Sequence, residues 1–378
     1  MPAQSERLHF SERWLNAYER YRYRRHIHAF RLGLAIVFST LLAKVFHLQH
    51  GEWISMTVFV VLGMLQFQGA IYSKAVERML GTAIGLGVGL AVLWLNQHYL
   101  QDGIFFYLII GAASAVAGWS AVGKNGYVAM LAGLTMCMLI GDSSHHWLDS
   151  GLMRAMNVLI GAAIAIAAAK LLPLRSTLMW RFMLADNLTD CAKMIAEISN
   201  GKRMTRERLE QNMIKMRQIN ARMVKSRSHL AATSGESHIS NNMMEAMQHA
   251  HRKIVNTTEL LLTTAAKLRA PTLNESEIRL LDRHFNQLQR ELRLTVRLIK
   301  GHYARRIRID TSLNAELSKP AARLHYDWQG FLWLSTNMRN EIAALVILLQ
   351  RSRNKWLDKK ELQRLKEYLR NDTDPEQQ

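Results

Sequence analysis

Between Ala29 and Leu172 the chain runs through long apolar stretches that hold few charges, and no other feature constrains its fold as much. A backbone placed in hydrocarbon must satisfy every N–H and C=O within the protein, so these stretches are expected to be bilayer helices. A spanning helix needs roughly 20 mostly apolar residues. Six candidates follow: Ala29–Leu48, Trp53–Phe67 extendable through Gln68, Ala75–Leu95, Ile104–Trp119, Tyr127–Ile140 and Arg154–Leu172. The mean hydropathy of −0.07 and the net charge of +19 suit a basic soluble protein only because they average two unlike halves. From Arg175 onward the sequence is rich in Arg, Lys, Glu and Gln. The expected fold is therefore all-α, with a polytopic membrane domain (29–173) of about six spans and a cytoplasmic helical bundle (174–378). A basic segment (1–28) precedes them. It shows no cleavable signal pattern, and Phe10, Trp14, Tyr18 and Tyr21 interleaved with Arg suggest an interfacial amphipathic helix.

Loop charge sets orientation. Arg7 through Arg25, Lys74, Lys124 and the region after Lys170 fall on one side, and Glu52, Asp102, Asp142 and Asp149 on the other. An even number of spans with both termini in the cytoplasm fits every loop except the one leading into Arg154. Gly81, Gly85 and Gly89 recur every four residues, and Gly111 with Ala115 and Ser114 with Gly118 repeat the theme; small residues at this spacing let helices pack closely in lipid. Cys137 and Cys191 are too far apart for a disulfide framework and read as small core residues. His145-His146, with no further ligand nearby, reads as a surface pair and not a metal site.

The third and sixth spans begin alike. Arg78-Met79-Leu80-Gly81-Thr82-Ala83-Ile84-Gly85 aligns with Arg154-Ala155-Met156-Asn157-Val158-Leu159-Ile160-Gly161. Two units of three spans must have opposite orientations, as in transporters built from inverted repeats, where the path lies near the repeat interface. Arg154 then becomes the outer counterpart of Arg78.

These residues also carry a likeness. Glu52-Trp53-Ile54-Ser55-Met56-Thr57, Lys74 through Gly85, and Arg31 resemble the fusaric acid resistance family over roughly residues 25–175. Gln66-Phe67-Gln68-Gly69 departs from it where many members have a proline. The family includes bacterial aromatic acid exporters and is similar to plant aluminium-activated malate transporters. The resemblance implies a bacterial inner-membrane protein moving organic anions, with a homodimer completing its single membrane unit and a periplasmic adaptor as a candidate partner.

Charges inside a membrane usually face a cavity or the bundle interior, and Arg or Lys rings line anion pores. The expected path residues are Lys44 with Arg154 at an outer site and Arg31 with Arg78 at an inner one, helped by Thr57, Thr82 and Asn157; Gly161 joins the packing glycines. For each cation snorkelling to headgroups is the plainer alternative, and for the threonines helix–helix hydrogen bonding is. Trp53 reads as an interfacial anchor and Glu77 as a neutraliser of a neighbouring Arg.

Beyond Arg175 helical periodicity gives candidate helices at 176–199, 203–232, 238–269, 275–304, 319–353 and 357–370, with breaks at Asn200-Gly201, Ser234-Gly235, Pro271 and Pro320. Arg290, Arg293, Arg297, Lys300, Arg305, Arg306 and Arg308 form a basic run that no nucleic-acid motif accompanies. It reads as a solvated face near anionic lipid or as a concentrator of anionic substrate. Export of organic, mainly aromatic, carboxylates leads; a malate-transporter-like anion channel and a membrane-anchored helical scaffold are the alternatives. No nucleophile–base pair, phosphate loop, cofactor motif or metal signature points to an enzyme.

Overall fold

The structure, a computed structural model, describes residues 17–63, 67–100, 103–141, 147–172, 174–199, 205–267, 275–302, 307–309, 326–357 and 361–367. Among them every regular element is helical. Two compact units form, one of Arg22–Arg175 and one of Met1–Tyr21 with Ser176–Gln378. After the short α1 (Ala17–Arg22), the first unit holds α2 (Arg24–Val45), α3 (Glu52–Leu62), α4 (Gln68–Leu95), a π-helical turn (Asn96–Leu100), α5 (Ile104–Ala121), α6 (Gly126–Ile140) and α7 (Trp147–Leu171).

By length and composition, Arg24–Val45, Gln68–Tyr99, Ile104–Ala121 and Asp149–Leu171 can cross a membrane, while Glu52–Leu62 and Gly126–Ile140 are shorter apolar helices. Around a buried apolar core that includes Val58, Val61 and Ile71, this unit exposes many large apolar side chains and buries some polar ones. Trp119 is 84% exposed and Arg31 only 1%, the polarity expected when lipid is the solvent.

Two element boundaries differ from expectation. α3 ends at Leu62, and Gln68 opens α4 instead of extending the second span. Phe67 is extended (φ −110°, ψ 141°), so the chain breaks there. α4 begins well before the apolar run at Ala75 because its polar first turns satisfy themselves: Lys74 bonds Glu77 at 2.6 Å and Ser73 bonds it at 3.1 Å.

The glycines set the packing. A Cβ on Gly81 would lie 2.7 Å from Leu131 Cβ, one on Gly85 2.7 Å from Thr135 Cβ, and one on Gly89 2.9 Å from Leu139 Cδ2, so these three seat α4 on α6. A Cβ on Gly161 would lie 2.6 Å from the Ile54 carbonyl and 2.8 Å from Thr57 Cβ, which seats α7 on α3. α4 and α7 also pack on each other. Gly111 and Gly118 have nothing within 4 Å, so α5 makes no small-residue contact at them. Cys137 is exposed, contrary to its reading as a core residue, whereas Cys191 is buried.

The second unit contains α8 (Ser176–Ser199), α9 (Arg206–Ser228), α10 (Leu230–Ser237), α11 (Asn241–Lys267), α12 (Glu275–Ile299), α13 (Tyr326–Arg351) and α14 (Arg353–Trp356). α8, α11, α12 and α13 share one apolar core that includes Leu188, Ile254, Leu288 and Leu345. Ser234-Gly235 does not break the chain. The breaks fall at His229 and at His238, whose left-handed φ of 53° ends α10, while Ser234 Oγ donates to the Ile239 carbonyl at 2.6 Å. α1 joins this unit through Tyr21, whose hydroxyl donates to Asp186 at 2.7 Å, and through Tyr18, edge-on to Phe182 at 5.4 Å. Two buried cations are fully engaged: Arg339 grips Glu291 with bonds of 2.6 and 3.0 Å, and Arg181 pairs with Glu361 at 2.6 and 2.9 Å.

Candidate functional site

α4 and α7 place one arginine each about 15 Å and about 10 Å in from their first residues. Arg78 and Arg154 line the same small cavity, together with Trp53 of α3, Thr82 of α4 and Thr135 of α6. Its volume is about 30 Å³. That is room for a water or two and too little for an organic acid. No Asp or Glu is among the described residues lining it.

The electrostatics follow from the partners. Arg78 is 5% exposed, and its Nε finds no hydrogen-bond partner among the described residues. The buried Thr82 hydroxyl is also unpartnered. Glu77 does not neutralise Arg78: adjacent helix residues diverge, and Glu77 instead pairs with Lys74. Lys74 in turn sits 3.9 Å from the centroid of the Tyr127 ring. Arg154 Nη1 reaches the Met138 carbonyl at 3.4 Å. A buried guanidinium without a carboxylate partner is costly to maintain in a low-dielectric setting, and an anion in the cavity would relieve that cost by bidentate pairing.

The other expected path residues lie elsewhere. Arg31, 1% exposed, donates to the Leu172 carbonyl at 3.3 Å and meets His28 Nδ1 at 3.1 Å, so it ties α2 to the end of α7. Lys44 is exposed in a separate open groove with Glu52, Thr40 and Ser55, and is not paired with Arg154. Thr57 is buried in the α3–α7 contact. Asn157 donates to the carbonyls of Gln49 and His50 at 2.7 and 2.9 Å, clamping a turn in which His47 and His50 both have positive φ (47° and 57°). Sequence reasoning missed Thr135 and took Trp53 for an interfacial anchor in preference to a gate. Only Trp53 left a signal, as part of the family motif. His145 and His146 lie outside the described residues, and among those described no group of His, Cys, Asp and Glu is arranged to hold a metal.

Comparison with known proteins extends the likeness seen in the N-terminal half through the helical unit. Residues 25–376 match the Fusaric acid resistance protein family. The chain is also 26% identical over 347 residues to "Inner membrane protein YeeA" of Escherichia coli (strain K12), covering 89% of this chain and 96% of that protein.

Proposed function

Since the chain belongs to the fusaric acid resistance family, we propose that it is a bacterial inner-membrane transporter exporting organic anions, aromatic carboxylates foremost, past Arg78 and Arg154. The single observation that supports this most is that two arginines aligned in the sequence repeat meet at one water-sized cavity with no carboxylate among its described lining residues. Equivalent residues of an inverted repeat converge where its two-fold axis passes between them. The glycine contacts support the same symmetry. The third apolar segment packs on the fifth and the sixth on the second, which is one contact exchanged by the repeat. On this reading α2 to α7 are six spans with both termini cytoplasmic, and a relative named as an inner membrane protein supports the location.

The mechanism follows from the groups present. The carboxylate exchanges its hydration for the guanidiniums of Arg78 and Arg154, the free Thr82 hydroxyl donates to it, and the Trp53 ring gives the organic part an apolar wall. Rocking of the two three-helix units about the site opens it to one side at a time. A cavity of only about 30 Å³ favours such a carrier over an open anion channel.

Efflux of aromatic acids from proteoliposomes tests the proposal. A lost charged hydrogen bond is worth about 1.5–3 kcal/mol, so Arg78→Gln and Arg154→Gln should each slow efflux about 10- to 150-fold, and Arg78→Lys should slow it less. Efflux by the Arg78→Gln/Arg154→Gln double variant at the wild-type rate would remove the basis for the site and favour a membrane-anchored scaffold.

A further inference from the structure

α12 presents its charges unevenly. Its buried side carries Leu288, Leu292 and Ile299 of the core. From Asn286 onward the outward side carries Arg290, Arg293 and Arg297, all exposed, and the half-buried Lys300. Those four cations recur at three- and four-residue steps, which places them on one helix face about 15 Å long. The acid in that stretch, Glu291, points the other way and is held by Arg339. Glu275 and Asp282 belong to the far end, where Glu275 pairs with Arg279 at 3.2 Å. α9 is unlike this: its exposed Arg206 pairs with Glu210 at 3.5 Å, and Lys215 approaches Glu197 at 3.9 Å. The cationic end of α12 thus stands out from the mixed surface of the same unit.

The chain leaves this unit at Tyr21 and at Ser176, next to the apolar helices that precede and follow. Both exits are close to the cationic end of α12. Lys300 Nζ lies 5.1 Å from the centroid of the Tyr18 ring, and Arg181, just after Ser176, donates through Nε to the Ile299 carbonyl. Arg308, also exposed, follows shortly after, while Arg305 and Arg306 lie outside the described residues. We infer that Arg290, Arg293, Arg297 and Lys300 form a docking face for anionic phospholipid headgroups of the leaflet the chain enters. Three arginines suit this task, since the guanidinium fork meets phosphate oxygens two at a time. The half-exposed Tyr18 beside them has the amphipathic ring favoured at a bilayer interface. Nucleic acid is the competing polyanion. The chain exits favour lipid, because they keep a bilayer within reach of this end.

Full-length protein in nanodiscs provides the test. A fluorophore is placed by His302→Cys, an exposed position next to Lys300, in a Cys137→Ser background. Headgroup-quencher lipid is added to discs of phosphatidylcholine with or without phosphatidylglycerol. Quenching should be strong only with phosphatidylglycerol at low salt and should fade at high salt as screening shortens the electrostatic reach. Each Arg→Gln among Arg290, Arg293 and Arg297 should weaken the apparent lipid association about five-fold. Equal quenching in both disc types overturns the inference. So does an unchanged triple variant, or protection of the label by RNA but not by lipid. If the triple variant unfolds early, the salt and lipid dependence of the native arginines still decides.

Discussion

Alanine at Gly85 probes the contact that holds the arginine cavity together. Its Cβ would stand 2.7 Å from Thr135 Cβ and 2.9 Å from Ala132 Cα, where relaxed carbon contacts are about 3.5–4.0 Å. The obstructing atoms are backbone and Cβ, which no rotamer change can move aside. α4 must therefore retreat from α6 by about 1 Å at this point. Overpacking of this kind costs about 1–3 kcal/mol, and alanine returns up to about 1 kcal/mol of helix propensity. Net destabilisation of about 1–2 kcal/mol follows. Gly87, on the same helix, has nothing within 4 Å, so Gly87→Ala should be neutral or stabilising by up to about 1 kcal/mol. The two variants should thus differ by about 1–3 kcal/mol, or about 5- to 150-fold in the unfolding equilibrium. Unfolding of purified protein in mixed micelles with a rising SDS fraction measures the difference. Efflux should fall with it, because Arg78 and Thr82 ride on α4. If Gly85→Ala unfolds at the same SDS fraction as Gly87→Ala, the close α4–α6 approach is wrong.

Three further outcomes are expected. Asn157→Ala removes both bonds to the turn carbonyls and should cost about 1–3 kcal/mol in the same SDS titration; Asn157→Asp, which cannot donate, should not rescue it. Arg339→Ala strands Glu291 and should cost about 3–5 kcal/mol, whereas Arg339→Met with Glu291→Leu should recover most of that loss in thermal melts. The third concerns pH. Burial, aided by Arg222, lowers His251 from its ordinary 6.5 to about 4, and burial with Arg339 does the same to His284. Both bind protons more weakly folded than unfolded, so the stability from their neutral forms is complete above 6.5 and is lost as pH falls toward 4. Tm should drop across that window, His251→Gln should shrink the drop, and a flat Tm profile would contradict the burial.

The apolar periodicity located the long helices because lipid leaves the backbone no other partner. Their ends were harder to read. Ala75 marks where the sequence becomes apolar, but α4 starts at Gln68, since Lys74, Ser73 and Glu77 satisfy one another within the helix. Ser234-Gly235 has the composition of a turn yet stays helical, and the reversal falls to His238, where a left-handed φ is expected of glycine first. In the candidate site, Arg78 and Arg154 were legible from the repeat. Their meeting in one cavity was not, because no local pattern records which face of α4 meets which face of α7. Asn157 and Arg31 show the complementary error: polar groups inside a membrane unit bind backbone carbonyls as readily as they line a path. The basic run beyond Arg290 was visible as composition, but only the burial of Glu291 shows that one face is free of acid.

The tyrosines of α1 bear on how the chain is made. Tyr18 and Tyr21 emerge from the ribosome before α2 to α7, yet Phe182 and Asp186 follow α7 and Lys300 comes much later. α1 thus has to wait for the bundle it completes, and until then the Phe182 surface lies bare. A fragment begun at Ser176 would keep that surface open to water for its whole lifetime. A change that pulled Tyr21 off Asp186 would likewise injure a helix made only after all the apolar ones.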